Sequence, residues 1–231
     1  MKRFIPLACA GLLAAAMVTP SFAADIVRPS LKAPVFVAPF SWSGFYVGIN
    51  GGYGWGTTKL SNIIGNQSFN DTGGLVGGTV GYNLQTGHWV WGFEGDIDAS
   101  WLKGTSSAAP MCALGCELKQ SWFATARGRV GYAFDRWLPY FTGGLAMGDS
   151  KITVTNNASL LGILGGSQTD TRTGWTIGGG LEWAFMGAWS AKLEYLYSDL
   201  GTASCSTATC GTETDVTLKI NMVRLGVNYR F

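Results

Sequence analysis

The last eleven residues, Asn221-Met222-Val223-Arg224-Leu225-Gly226-Val227-Asn228-Tyr229-Arg230-Phe231, alternate with a period of two. Val223, Leu225, Val227, Tyr229 and Phe231 form one set, and Met222, Arg224, Gly226, Asn228 and Arg230 form the other. Successive side chains of a strand point to opposite faces, so the first set makes a wholly apolar face. A strand with lipid on one side and a polar barrel lumen on the other requires this division, and a terminal aromatic suits the membrane interface. The stretch predicts the closing strand of a β-barrel in the outer membrane of a Gram-negative cell. It is also the strand that the barrel-assembly machinery is expected to meet during insertion.

The other end of the chain points to the same compartment. Residues 1–23 read as a cleaved signal peptide: Lys2 and Arg3 precede an apolar stretch from Phe4 to Val18, and Ser21-Phe22-Ala23 supplies a small-x-small cleavage signal. Pro6 interrupts that stretch, which falls short of the ~20 residues a spanning helix needs. Residues 24–42, with Pro29, Pro34 and Pro39, predict an extended periplasmic linker, which leaves 43–231 as the barrel. Beyond the leader, Gly, Thr, Ser, Asn or a charge breaks every apolar run, so a helical membrane protein is excluded although 47% of the residues are hydrophobic. Two of the 16 basic residues leave with the leader, and the rest equal the 14 acidic ones in number. That balance argues against nucleic acid as a partner.

From Gly44 the chain divides into eight alternating segments, 44–57, 72–84, 88–102, 117–134, 136–150, 170–185, 188–200 and 217–231. Each exceeds the ~9 to 11 residues of a tilted membrane strand, and an even number lets the first and last close antiparallel. Connections alternate between tight turns (85–87, 135, 186–187) and long polar stretches (58–71, 103–116, 151–169, 201–216). The expected fold is therefore all-β, an eight-stranded antiparallel transmembrane barrel with short periplasmic turns and long extracellular loops. Trp42, Phe45, Trp89, Trp91, Trp137, Trp189 and Phe231 are expected in the periplasmic aromatic girdle, and Trp55, Trp101, Trp122 and Trp175 in the outer one.

These residues resemble a known family. Ala23-Ala24-Asp25, Lys32-Ala33-Pro34, Trp42-Ser43-Gly44-Phe45-Tyr46-Val47-Gly48, Gly52-Tyr53-Gly54-Trp55-Gly56, Gly143-Gly144-Leu145-Ala146 and Val227-Asn228-Tyr229-Arg230-Phe231 are together similar to the small outer-membrane immunogenic proteins of alphaproteobacteria. Those are eight-stranded barrels of the opacity-protein and OmpA transmembrane type. The resemblance spans the chain and implies an abundant, porin-like surface protein with no catalytic residues to carry over. The loop cysteines match no shared motif.

Strand alternation places Glu94, Asp96 and Asp98 in the lumen, with Arg127 and Arg129 opposite them. Glu182, Lys192, Glu194, Arg224 and Arg230 come from the later strands. An eight-stranded interior is just wide enough to be filled by side chains, and isolated charges there are costly, so pairing is expected. Such a cluster reads either as a structural plug or as a small gate in which Arg127 and Arg129 exchange carboxylates. Catalysis fails on inventory, because the single histidine, His88, falls at the periplasmic end beside Trp89 and out of reach of an outer-leaflet substrate. Gly73-Gly74-Leu75-Val76-Gly77-Gly78 and Gly178-Gly179-Gly180 lack the Lys-Ser/Thr and the helix of a phosphate loop. They fit the need to relieve crowding in a small, bent barrel.

Cys112, Cys116, Cys205 and Cys210 lie in two of the long connections and in an oxidising compartment, where two local disulfides are expected among three connectivities. A cross-loop bridge and a four-cysteine zinc site are the alternatives. Lys59, Lys103, Lys119, Lys151 and Lys219 fall near the outer rim, within reach of lipopolysaccharide. No cofactor, metal or catalytic residue is expected. The function read from the sequence is a non-enzymatic surface barrel supporting envelope integrity and surface contact, with its lumen plugged by ion pairs. A narrow porin-like channel is the alternative, and a loop-mediated receptor or adhesin for host or surface ligands the third reading.

Overall fold

A computed structural model describes residues 40–62, 65–107, 115–154, 166–205 and 214–231. The expected signal peptide, nearly all of the linker, and Cys112 and Cys210 lie outside these residues. The described chain forms β1 (Gly44–Asn62), β2 (Gly65–Thr86), β3 (Trp89–Ser106), β4 (Cys116–Tyr132), β5 (Trp137–Val154), β6 (Gly166–Met186), β7 (Trp189–Cys205) and β8 (Thr214–Arg230). Each pairs antiparallel with its sequence neighbours, and β1 pairs with β8 to close the barrel. Closure leaves no strand edge unpaired, which a bilayer demands.

The exterior is apolar over a belt. On β1, Phe45, Val47, Ile49, Tyr53 and Trp55 are exposed; on β3, Trp89, Trp91, Phe93, Ile97 and Trp101; on β8, Val223, Leu225, Val227 and Tyr229. Residues 45–55 span roughly 25 Å of height once strand tilt is allowed for, which is the thickness of an outer-membrane apolar band.

The strands run well past that belt, and here the segment map needs correction. The stretch 58–71, expected as a long loop, is mostly ladder: Gly56 pairs with Asp71 and the register continues to Asn62 with Gly65. β6 and β7 likewise extend into residues expected as loop. Ser, Thr and Asn signal loops only where backbone groups have other partners, and a hairpin already zipped by its membrane half keeps pairing into water.

β8 shows what changes at the boundary. Below it, Val223, Leu225 and Val227 face out while Arg224, Gly226 and Asn228 face in; above it, Val216, Leu218, Ile220 and Met222 are buried inside and Thr217 and Lys219 face out. The pattern inverts at Met222-Val223, from that of a lipid-facing barrel to that of a water-soluble one with an apolar core.

Candidate functional site

The lumen is filled in three layers. At its middle, nine of the ten charged residues assigned to the lumen by alternation are at least 94% buried, Glu94, Asp96, Asp98, Arg127, Arg129, Glu182, Lys192, Glu194 and Arg224, while the tenth, Arg230, is half-buried near the periplasmic end. Register sets three opposite-charge pairs directly across ladders, Glu94 with Arg127, Glu182 with Lys192 and Glu194 with Arg224. Contacts then reach across the bore. Arg127 meets Glu94 at 2.5 Å, Asp96 at 2.9 Å and Glu194 at 2.9 Å; Arg129 meets Glu182 at 2.7 Å and Glu94 at 3.5 Å. Arg224 pairs with Asp96, with Asp98 at 2.8 Å and with Glu194 at 2.5 Å, and Lys192 meets Glu94 at 3.0 Å. Strands from opposite walls are thereby tied through the centre.

Neutral groups that sequence reasoning passed over complete the layer. The Tyr46 hydroxyl donates to Glu94 at 2.8 Å and accepts from Arg129 at 3.0 Å, and the Tyr140 hydroxyl donates to Glu194 at 3.0 Å. Thr125 donates to Asp96, while Ser190 and Asn228 donate to Glu182. The Arg129 guanidinium also lies 4.0 Å from the centroid of the Tyr140 ring. These large groups fit because facing positions are glycine. A Cβ on Gly81 would lie 2.3 Å from the Tyr46 ring, and one on Gly77 would lie 2.1 Å from the Asp98 carboxylate. The glycine runs thus make room for the charge layer.

Beyond this layer, towards the outer end, lies an apolar core that includes Leu75, Leu102, Leu118, Phe123, Leu196, Val216, Leu218 and Ile220, all at most 4% exposed. The periplasmic end holds a second cluster of Trp42, Val90, Ala133, Leu138 and Ala184. Trp42 is only 1% exposed, which corrects its expected place in the girdle. Its indole Nε1 donates to the Asp135 carbonyl at 3.1 Å and its backbone N–H to Gln85 Oε1 at 2.7 Å. A tryptophan with polar partners available inside loses nothing by leaving the interface. Arg230 stacks over Phe40 at 4.5 Å on the same cork. His88 stacks on Tyr132 at 5.3 Å, away from the charge layer.

Cys116 is in disulfide linkage and 8% exposed. The loop cysteines' connectivity falls outside the described residues. Among the described residues no group of three or more His, Cys, Asp or Glu is arranged to hold a metal ion.

A closed eight-stranded barrel with a lipid-facing belt and a side-chain-filled bore defines the class of small outer-membrane barrels. The chain belongs to the family described as outer membrane protein beta-barrel domain, whose model matches residues 10–231. It is 36% identical to a 31 kDa outer-membrane immunogenic protein of Brucella melitensis, over 95% of this chain and 97% of that one. It is 34% identical to a 22 kDa outer membrane protein of Rhizobium leguminosarum, over 73% and 68%. Among solved structures, the outer membrane protein OprG of Pseudomonas aeruginosa has the same fold, with a TM-score of 0.51 at 13% identity over 82% of this chain and 97% of that one. The expected resemblance to alphaproteobacterial immunogenic proteins holds, and the outer membrane is the protein's place.

Proposed function

We propose that the protein is a non-enzymatic surface barrel that supports the integrity of the outer membrane and presents its outer rim for contact, with a sealed lumen. The observation that carries this reading is the three-layer filling: a buried ion-pair layer lies between an apolar core on the outer side and the Trp42 cork on the periplasmic side. A conducting path needs a chain of polar or open space, and apolar layers on both sides of the charges deny it. Ion pairs between opposite walls hold the cylinder in shape, which suits a structural element. No member of the layer has the free, solvent-reachable geometry of an acid–base pair, and the relatives bear the names of outer-membrane proteins. Its partners in this reading are outer-membrane lipid and lipopolysaccharide, the barrel-assembly machinery during insertion, and surface or host ligands at the rim.

Proteoliposome swelling tests the sealed lumen. Vesicles carrying the refolded mature chain are expected to swell in pentose no faster than empty vesicles. Swelling at a rate that scales with protein content would replace this reading by the narrow porin-like channel.

A further inference from the structure

The outer rim carries a row of three lysines that the fold aligns at a cost. Lys103 on β3 is directly opposite Lys119 on β4, and Lys119 is directly opposite Lys151 on β5. All three lie on the outward face, two residues or so beyond the outer aromatics Trp101 and Trp122. Neighbouring strands are about 5 Å apart, so three ammonium groups share a strip roughly 10 Å wide. Like charges directly opposite one another destabilise a ladder.

The alignment depends on two register slips. Continued without interruption from Ala99 opposite Trp122, β3 would bring Lys103 opposite Leu118. Continued from Phe123 opposite Gly148, β5 would bring Lys119 opposite Ile152. Against β4, β3 has an extra residue at Ser100-Trp101; against β5, β4 has an extra residue at 120–122, and this second bulge is fixed from inside: Asp149 Oδ1 accepts the backbone N–H of Ser121 at 2.8 Å and of Trp122 at 2.9 Å. Bulges re-aim side chains, and these two together produce a lysine row. Glu117 pairs with Lys119 at 2.9 Å, but among the described residues Lys103 and Lys151 have no carboxylate partner. The row therefore has excess positive charge just above the aromatic girdle, at the depth of the outer-leaflet headgroups.

We infer that Lys103, Lys119 and Lys151 form a binding site for the anionic headgroup of outer-leaflet lipopolysaccharide. A polyanionic glycolipid places several charges side by side at this depth, matching three ammoniums in a strip, and its acyl chains lie against the belt below. The inference rests on the proposed lipopolysaccharide partnership and gives it a location.

The test compares the full mature chain, its Lys103→Gln/Lys119→Gln/Lys151→Gln variant and a Lys59→Gln/Lys219→Gln control. Each is refolded with deep-rough lipopolysaccharide, and the glycolipid retained on the purified barrel is then measured. Each lysine near an anionic surface adds enough attraction that losing three is expected to cut retention by roughly tenfold to a hundredfold, with the control within about twofold of wild type. In lipopolysaccharide-free micelles the row variant is expected to melt no earlier than wild type, since repulsion is relieved. An earlier melt there would make the lysines structural and overturn the site. Equal retention by wild type and row variant removes the row while leaving the wider partnership, whereas a wild type that retains nothing removes both. Phosphatidylglycerol retained as well as lipopolysaccharide would overturn the assignment to the glycolipid.

Discussion

Replacing Arg127 by methionine removes one charge from the centre of the lumen while keeping most of the side chain's length. Three carboxylates lose a partner: Glu94, Asp96 and Glu194, at 2.5, 2.9 and 2.9 Å. Thr125 loses its bond from Arg127 Nε at 2.8 Å. The remaining cations still hold each carboxylate, Glu94 through Lys192 and Arg129, and Asp96 and Glu194 through Arg224, so none is wholly abandoned. Five buried carboxylates then face three cations instead of four. Breaking a buried pair from one side costs about 3 to 5 kcal/mol, because the surviving charge has no water to turn to. The expected loss for Arg127→Met is therefore about 3 kcal/mol or more. Urea unfolding of the refolded barrel in micelles, followed by tryptophan emission and by heat-modifiable gel migration, measures it. Glu194→Gln in the same background should recover at least about 1 kcal/mol, since it removes one of the excess charges. A loss below about 1 kcal/mol, or a double variant that is merely additive, would refute the idea that the layer is a dry, coupled network.

Trp42→Ala empties the periplasmic cork and leaves the Asp135 carbonyl without the indole donor; a loss of about 2 to 4 kcal/mol is expected in the same urea assay, and wild-type stability would show that the cork contributes nothing. Gly81→Ala drives a methyl into the Tyr46 ring, which is held between Glu94 and Arg129; a cost of about 1 to 3 kcal/mol is expected, against a near-neutral Gly74→Ala, whose nearest neighbour would be 3.9 Å away. Asp71, beyond the outer girdle, is buried beside Thr58, and burial pushes its carboxyl up from the usual 3.8 to about 6. The folded state therefore binds a proton more readily than the unfolded chain between those values, and stability falls as pH rises from about 4 to about 6. Amide protection along the ladder around Gly56 and Asp71 should weaken over that window in wild type and stay flat in Asp71→Asn.

Much of the membrane half was legible because its chemistry has period two. The alternation in 221–231 placed Val223 to Phe231 outward and Arg224 inward, and the same rule carried Glu94, Arg127 and Glu194 to one level of the bore. Pattern alone does not say what else shares that level. Tyr46 and Tyr140 are each followed on the inward face by a small residue, Gly48 and Thr142, and an inward tyrosine looks like any aromatic until the facing glycines are known. The apolar outer core was present in the sequence: Val216, Leu218, Ile220 and Met222 alternate with Thr217, Lys219 and Asn221 in the phase opposite to Val223 onward. Two adjacent apolar residues at 222–223 mark the inversion, a signal lost when one phase is assumed for a whole strand. The lysine row was not legible, since it depends on a bulge in each of β3 and β4, the latter pinned by Asp149 from the next strand, and long-range register leaves no local trace. Trp42 was misplaced because position relative to Gly44 fixes its depth but not its side of the wall.

Single-channel recording of the refolded mature chain in a planar bilayer, beside an Arg127→Ala/Arg129→Ala double variant, addresses the sealed lumen most directly. Folding of both is checked by heat-modifiable migration. A bore closed by apolar layers on both sides of its charges predicts a silent wild type, and a variant that also stays silent or opens only briefly because Trp42 and the outer core remain. Steady openings in the folded wild-type protein would contradict the sealed lumen and make the barrel a small pore.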